Sequence, residues 1–138
     1  MSLNPCAVDF LGSRYGFIRR EIIKKMKVSE LMNLIEAENL TPGLSDKEVA
    51  CGYSCDLLSW VMAHGEENMA WVTVQTNMNV IAVALLSEMA CVILPEGVKM
   101  ENESLLRANA EDMTVLASRL SAYEICGRMH AAGVPDKA

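Results

Sequence analysis

The segment MAWVTVQTNMNVIAVALLSEMACVIL, residues 69–94, decides the fold. It opens on Met69-Ala70-Trp71-Val72-Thr73-Val74 and closes on Ala90-Cys91-Val92-Ile93-Leu94, stopped by Pro95. Neither run alternates polar with apolar residues. Strands apolar on both faces belong to parallel sheets covered by helices on both sides. Between them, Asn77 to Glu88 has the length of a helix and is apolar nearly all round, so it is expected to be buried on several sides. Strand, helix and strand in this order make one right-handed crossover.

Similar signals flank this unit. Val49 to Tyr53 is a short apolar strand, and Asp56 is expected to cap a helix through Leu57, Leu58, Val61 and Met62 that Gly65 closes. Ser29 is expected to cap a helix running to about Ala37, with Leu31, Leu34 and Ile35 on its buried side. Leu40 to Leu44 contains Pro42 and Gly43 and is at most a short edge strand. Beyond Pro95, Asn102 is expected to cap a short helix holding Leu105 and Leu106, and Met113 to Ala117 is the last strand. Ser121 and Glu124 form an S-x-x-E capping box for a final helix ended by Gly133. The expected fold class is α/β, a three-layer αβα arrangement with a small, mainly parallel sheet.

The chain has 138 residues, enough for one core and too few for two ordinary ones. Apolar residues make up 51% and aromatics only 5%, so the core must be aliphatic, with ten Met among its candidates. The formal net charge of −6 is unevenly spread. Residues 1–25 hold five Lys and Arg against two acids, and residues 26–138 hold seven against sixteen. This acidic body repels phosphate backbones, so nucleic acid is not an expected partner. Residues 1–25, with a short helix expected at Phe17 to Lys25, are expected to be an N-terminal extension outside the native domain. Met26 is then the biological start and 26–138 the domain. The longest apolar run, Val80 to Leu86, is too short to span a bilayer. Five cysteines, an odd number, sit largely in apolar runs without a signal peptide, which points to reduced thiols and the cytoplasm.

No P-loop, dinucleotide-binding glycine motif or nucleophile elbow occurs. His64 and His130 are expected to sit at helix ends, where the dipole favours them. Cys51-x-x-x-Cys55 approaches zinc-ligand spacing, but no second ligand pair follows, and buried small residues are the favoured reading. Polar residues do gather where the strands end. In an open parallel sheet, ligands bind beyond the carboxyl ends, at helix starts. The candidate ligand-binding residues are Gly52, Tyr53, Ser54 and Asp56 after one strand, Gln75, Thr76 and Asn79 after the next, and Ser118 after the last. Helix capping alone accounts for Asp56 and Asn77, and less well for Tyr53 and Gln75.

Three stretches carry a family resemblance. They are Asp46-Lys47-Glu48-Val49 with the following Gly52 to Met62, then Val72 to Ala84, and Ser121 to Arg128. Together they resemble the DRTGG domain over about Met26 to Val134, with Lys47 where the family usually has Arg. The resemblance implies a small αβα domain similar to the N-terminal domain of HPr kinase/phosphorylase. It implies a regulatory role with no catalytic residues and no cofactor. The expected function is that of a non-catalytic regulatory domain, a homodimer, binding a small anionic ligand such as a nucleotide. The alternative is a ligand-free assembly protein accompanying a redox enzyme such as an iron-only hydrogenase. Trp60, Met62 and Met89 are the expected dimer contacts, and neither a membrane nor a metal is expected.

Overall fold

A computed structural model describes residues 25–138. The basic segment and its expected helix lie outside the described residues, apart from Lys25. Among the described residues, five helices and five strands follow in this order: α1 Val28–Leu34, β1 Glu38–Asn39, β2 Cys51–Ser54, α2 Leu58–His64, β3 Met69–Val72, α3 Met78–Leu86, β4 Cys91–Leu94, α4 Asn102–Ala110, β5 Thr114–Ala117 and α5 Ala122–Ala131. The sheet order is β1-β5-β4-β3-β2. Strands β2 to β5 are parallel, and β1 pairs antiparallel with β5 at the edge. The expected α/β class with a mainly parallel sheet and helices on both faces is what the chain adopts.

All eight residues of β3 and β4 are buried. Side chains alternate between two cores, as the strand period requires. Met69, Trp71, Val92, Leu94 and Val115 face α2, α3 and α4, which contribute Val61, Val80, Ile81, Val83, Ala84 and Ala108. Ala70, Val72, Cys91, Ile93 and Leu116 face α1 and α5, which contribute Val28, Leu31, Ile125 and Met129. The parallel strands step in one direction, and the three crossover helices share one face, as a single crossover hand demands. Helix α3, apolar nearly all round, lies between α2 and α4 and over the sheet.

Several local expectations are corrected. Helix α1 starts at Val28 after Lys27, and Ser29 does not cap it. The Ser29 amide and hydroxyl both donate to Asp46, at 2.9 and 2.7 Å. Glu101, one residue earlier than expected, precedes α4 without a side-chain cap. The edge strand is Glu38–Asn39 and not Leu40–Leu44, because the Asn39 carboxamide turns the chain by accepting from the Thr41 amide and hydroxyl. Met89 is fully buried, so it cannot be a dimer contact, whereas Trp60 and Met62 are exposed. Helix α1 also ends at Leu34, short of Ala37. Asn77 caps as expected by accepting from the Asn79 amide. The expected capping box is half formed: Ser121 accepts from the Glu124 amide, while the Glu124 carboxylate pairs with Arg128.

Gly65 matters because of space. A Cβ there would lie 2.5 Å from Ser87 Oγ and 2.8 Å from Met89 Cε. Gly65→Ala is therefore expected to destabilise the protein by roughly 1–3 kcal/mol through overpacking, measured as a lower urea midpoint at unchanged slope. A second expectation concerns acid. Ser29 holds the Asp46 carboxyl below its ordinary value, and Ser45 does the same for Asp112. A depressed carboxyl stabilises fully above the ordinary carboxylate range and loses that contribution as pH falls through its lowered value. Ser29→Ala and Ser45→Ala should each lower the melting temperature at neutral pH. The gap from the parent should close below about pH 4, the ordinary carboxylate range.

Candidate functional site

The carboxyl ends of β2 and β3 are tied together by Asp56. This residue does not cap α2, whose N-cap is Leu57. One Asp56 carboxylate oxygen accepts from the Thr73 hydroxyl and from the Val74 amide, both at 2.9 Å. The Thr73 hydroxyl in turn accepts from the Gln75 amide at 3.2 Å, and the Gln75 side chain donates to the Asp56 carbonyl at 3.2 Å. Beneath this clasp, the buried Trp71 indole donates to the Cys55 carbonyl at 2.8 Å. The turn after β2 is thus pinned over the end of β3 from two sides. A carboxylate supplied by the chain occupies the amide that an outside anion would otherwise meet there.

The next loop has a different character. The Ser104 hydroxyl, buried in α4, donates to the Thr76 carbonyl at 3.1 Å, which sets the start of α4 beside the start of α3. Asn77 satisfies one amide of α3, while α4 has no side-chain cap. Thr76 is half-buried and Asn79 exposed at this junction. Exposed apolar residues flank the clasp in sequence: Leu57 and Trp60 follow Asp56, and Val74 and Met78 bracket Gln75. Trp60 stacks on His64 with ring centroids 4.5 Å apart. The His64 Nδ1–H faces the Trp60 carbonyl at 2.8 Å, since a carbonyl only accepts.

The eight candidate residues therefore separate into groups. Asp56 and Gln75 meet in the clasp, and Thr76 and Asn79 lie at the start of α3. Ser118 is buried, and its hydroxyl donates to the Ile35 carbonyl at 2.7 Å and accepts from the Leu120 amide at 3.1 Å. Gly52 and Tyr53 lie on the outer edge of β2, where Gly52 donates its amide to the Pro135 carbonyl at 2.8 Å. Ser54 follows them and is exposed. Sequence reasoning missed Thr73 and Ser104, whose hydroxyls build the clasp and the α3–α4 junction. Only their polarity inside apolar stretches marks them.

Two concavities lie elsewhere. One of about 330 Å³ is lined by Lys47, Glu67, Asn68, Leu85, Glu88 and Met113, at the amino ends of the strands. One of about 170 Å³ lies beside α1, between Ser29, Asn39, Ser45 and Thr114. Neither includes any of the eight residues. The thiols at Cys51, Cys55, Cys91 and Cys126 are unpaired. Burial pushes the Cys91 thiol up to about 12, and burial followed by the Glu66 carboxylate pushes Cys51 up to about 11. Both stay protonated at neutral pH, the inert form. Among the described residues, no three His, Cys, Asp or Glu side chains converge as a metal would require. No described helix is long and apolar enough to cross a membrane.

With this geometry in view, comparison with known proteins is informative at the level of fold. No family model matches the sequence, and no curated protein matches it. A solved structure does. The CBS and DRTGG domains of the regulatory region of Clostridium perfringens pyrophosphatase, complexed with the activator diadenosine tetraphosphate, give a TM-score of 0.60 at 11% identity. The match covers 78% of this chain and 47% of that one, so this chain spans about half of its neighbour. It supports the DRTGG-like fold.

The clasp generates a prediction. Asp56→Ala leaves the Thr73 hydroxyl and the Val74 amide without their shared acceptor. A charge-assisted acceptor of this kind contributes about 1.5–3 kcal/mol, and Asp56 is exposed, so the loss should fall at or below the lower end of that range. Chemical denaturation would measure it, and Asp56→Asn, which keeps an acceptor oxygen, should recover part of the loss.

Proposed function

We propose that this chain is a non-catalytic regulatory module that binds a small anionic ligand, a nucleotide by class, and acts as a homodimer in the cytoplasm. The observation that carries the reading is the likeness to a regulatory region whose activator is diadenosine tetraphosphate. The local geometry agrees with it. Thr76 and Asn79 stand where α3 and α4 begin side by side. No side chain caps α4, and Glu103 in its first turn leaves the α3 start as the better anion site of the two. Helix starts favour phosphate because their amides are unpaired and the dipole is positive there. Leu57, Trp60, Val74 and Met78 offer apolar surface nearby for a base or for a second copy.

Asp56 limits where phosphate sits. Its carboxylate already holds the Val74 amide, so the anion belongs on the α3–α4 side of the clasp and the uncharged part of the ligand on the Trp60 side. Thermal denaturation across a panel of mono- and dinucleotides tests the proposal. A ligand at one hundred times its dissociation constant should add about 2.7 kcal/mol to stability, and a flat response across the panel would overturn the reading. Asn79→Ala should reduce affinity by roughly 0.5–1.5 kcal/mol, the worth of one hydrogen bond. Its stability should stay within about 0.5 kcal/mol of the parent, since the residue is exposed. Gln75→Ala differs, because its side chain also holds main chain, and it should lower both affinity and melting temperature. Sedimentation giving a monomer at high micromolar concentration would remove the dimer from the proposal.

A further inference from the structure

Among the described residues, strand β2 lies at the edge of the sheet, and no residue from Ala50 to Cys55 is charged. Uncharged edge strands pair readily with other chains, and proteins blunt them with charges, prolines or a covering segment. The covering here comes from the segment after α5. Gly133, at φ 97°, turns the chain, and the Val134 amide donates back to the Met129 carbonyl at 2.9 Å. Val134 is buried against the α1–α5 core. Pro135 then accepts from the Gly52 amide at 2.8 Å, and Asp136 forms a single parallel bridge with Gly52. Lys137 Nζ lies 5.8 Å from the Tyr53 ring centroid, and the Ala138 amide donates to Glu66 Oε1 at 3.1 Å.

This segment supplies what β2 lacks. Pro135 has no amide to offer a further strand, and Asp136 and Lys137 bring charge to the edge. Gly52 makes room for α5, from which the segment descends, since a Cβ there would lie 2.5 Å from Met129 Cε and 3.5 Å from Val134 Cγ1. The hold is nevertheless slight, resting on one buried valine, two main-chain hydrogen bonds, one cation–ring contact and one exposed hydrogen bond.

We infer that Val134–Lys137 is a displaceable strap over β2, and that its release lets β2 pair edge to edge with β2 of a second copy of this chain. The occupant is a second copy because the bare edge is uncharged and self-complementary. Two antiparallel Cys51–Ser54 segments bring Gly52 opposite Tyr53 and meet no like charges. This association uses the sheet edge and does not depend on the ligand reading.

Light scattering after size exclusion tests it. A chain ending at Gly133 should show at least twice the mass of the full chain at the same concentration, with far-ultraviolet circular dichroism unchanged. Val134→Asp in the full chain, which expels the anchor but keeps every other residue, should do the same if the shortened chain fails to fold. Ala50→Lys, adding a charge beside β2, should return either variant to the parent mass. An unchanged mass for both folded variants would overturn the inference. Doubling that survives Ala50→Lys would also overturn it, since association would then use another surface.

Discussion

Trp71 lies in the second strand of the parallel sheet with no exposed surface, and its register partners Tyr53 and Val92 flank it on the same face. An indole buried this way must find an acceptor for its one donor, or lose on the order of 1–3 kcal/mol. It finds the Cys55 carbonyl, in the turn after β2. That requirement fixes the turn over the end of β3 and brings Asp56 within reach of Thr73 and Val74. It also delivers α2 to the face where α3 and α4 pack. Burial on both faces of β3 and β4 supplies the driving force, at about 25 cal/mol per Å² of apolar surface removed from water. The indole hydrogen bond sets the geometry in which that burial takes place.

The continuous apolar runs of β3 and β4 were legible because burial on both faces leaves no polar residue among them. Asn77 and Ser121 were legible as caps because their partners lie two or three residues away. Asp56 and Ser29 were not, because an N-cap residue and a long-range acceptor or donor share the same chemistry. Asp56 bonds residues 17 and 18 positions later, and Ser29 bonds Asp46, also 17 away. Ser118 looked like a loop hydroxyl facing a ligand, yet it bonds Ile35, 83 positions earlier. Met89 looked like the exposed end of a helix, yet it turns under Gly65. In each case a contact distant in sequence overrode a correct local pattern.

The sheet winds in one direction only, and this shapes what its carboxyl ends can do. Open α/β sheets usually hold ligands in the crevice where successive crossovers diverge to opposite faces. Here α2, α3 and α4 share a face, and the parallel strands contain no such divergence. The loops after β2 and β3 instead fill the space between them with Asp56, Thr73 and Gln75. What remains exposed there is largely apolar: Leu57, Trp60, Val74 and Met78. Exposed apolar side chains of this kind suit a flat ring or a second protein face.

The layer on the other side of the sheet has a different origin. Helices α1 and α5 come from opposite ends of the described chain, and Arg128 joins them by bonding the Leu34 carbonyl and the Glu36 carboxylate, more than ninety residues away. The α2–α4 layer is assembled from neighbours in sequence, with short loops to close. Contacts between distant residues pay their loop-closure entropy late, and they slow folding. During synthesis, the face covered by Ile125 and Met129 stays open until α5 has emerged. Until then Ala70, Val72, Cys91 and Ile93 have only α1 to share that side with, and the nascent chain is most open to aggregation just before its last helix docks.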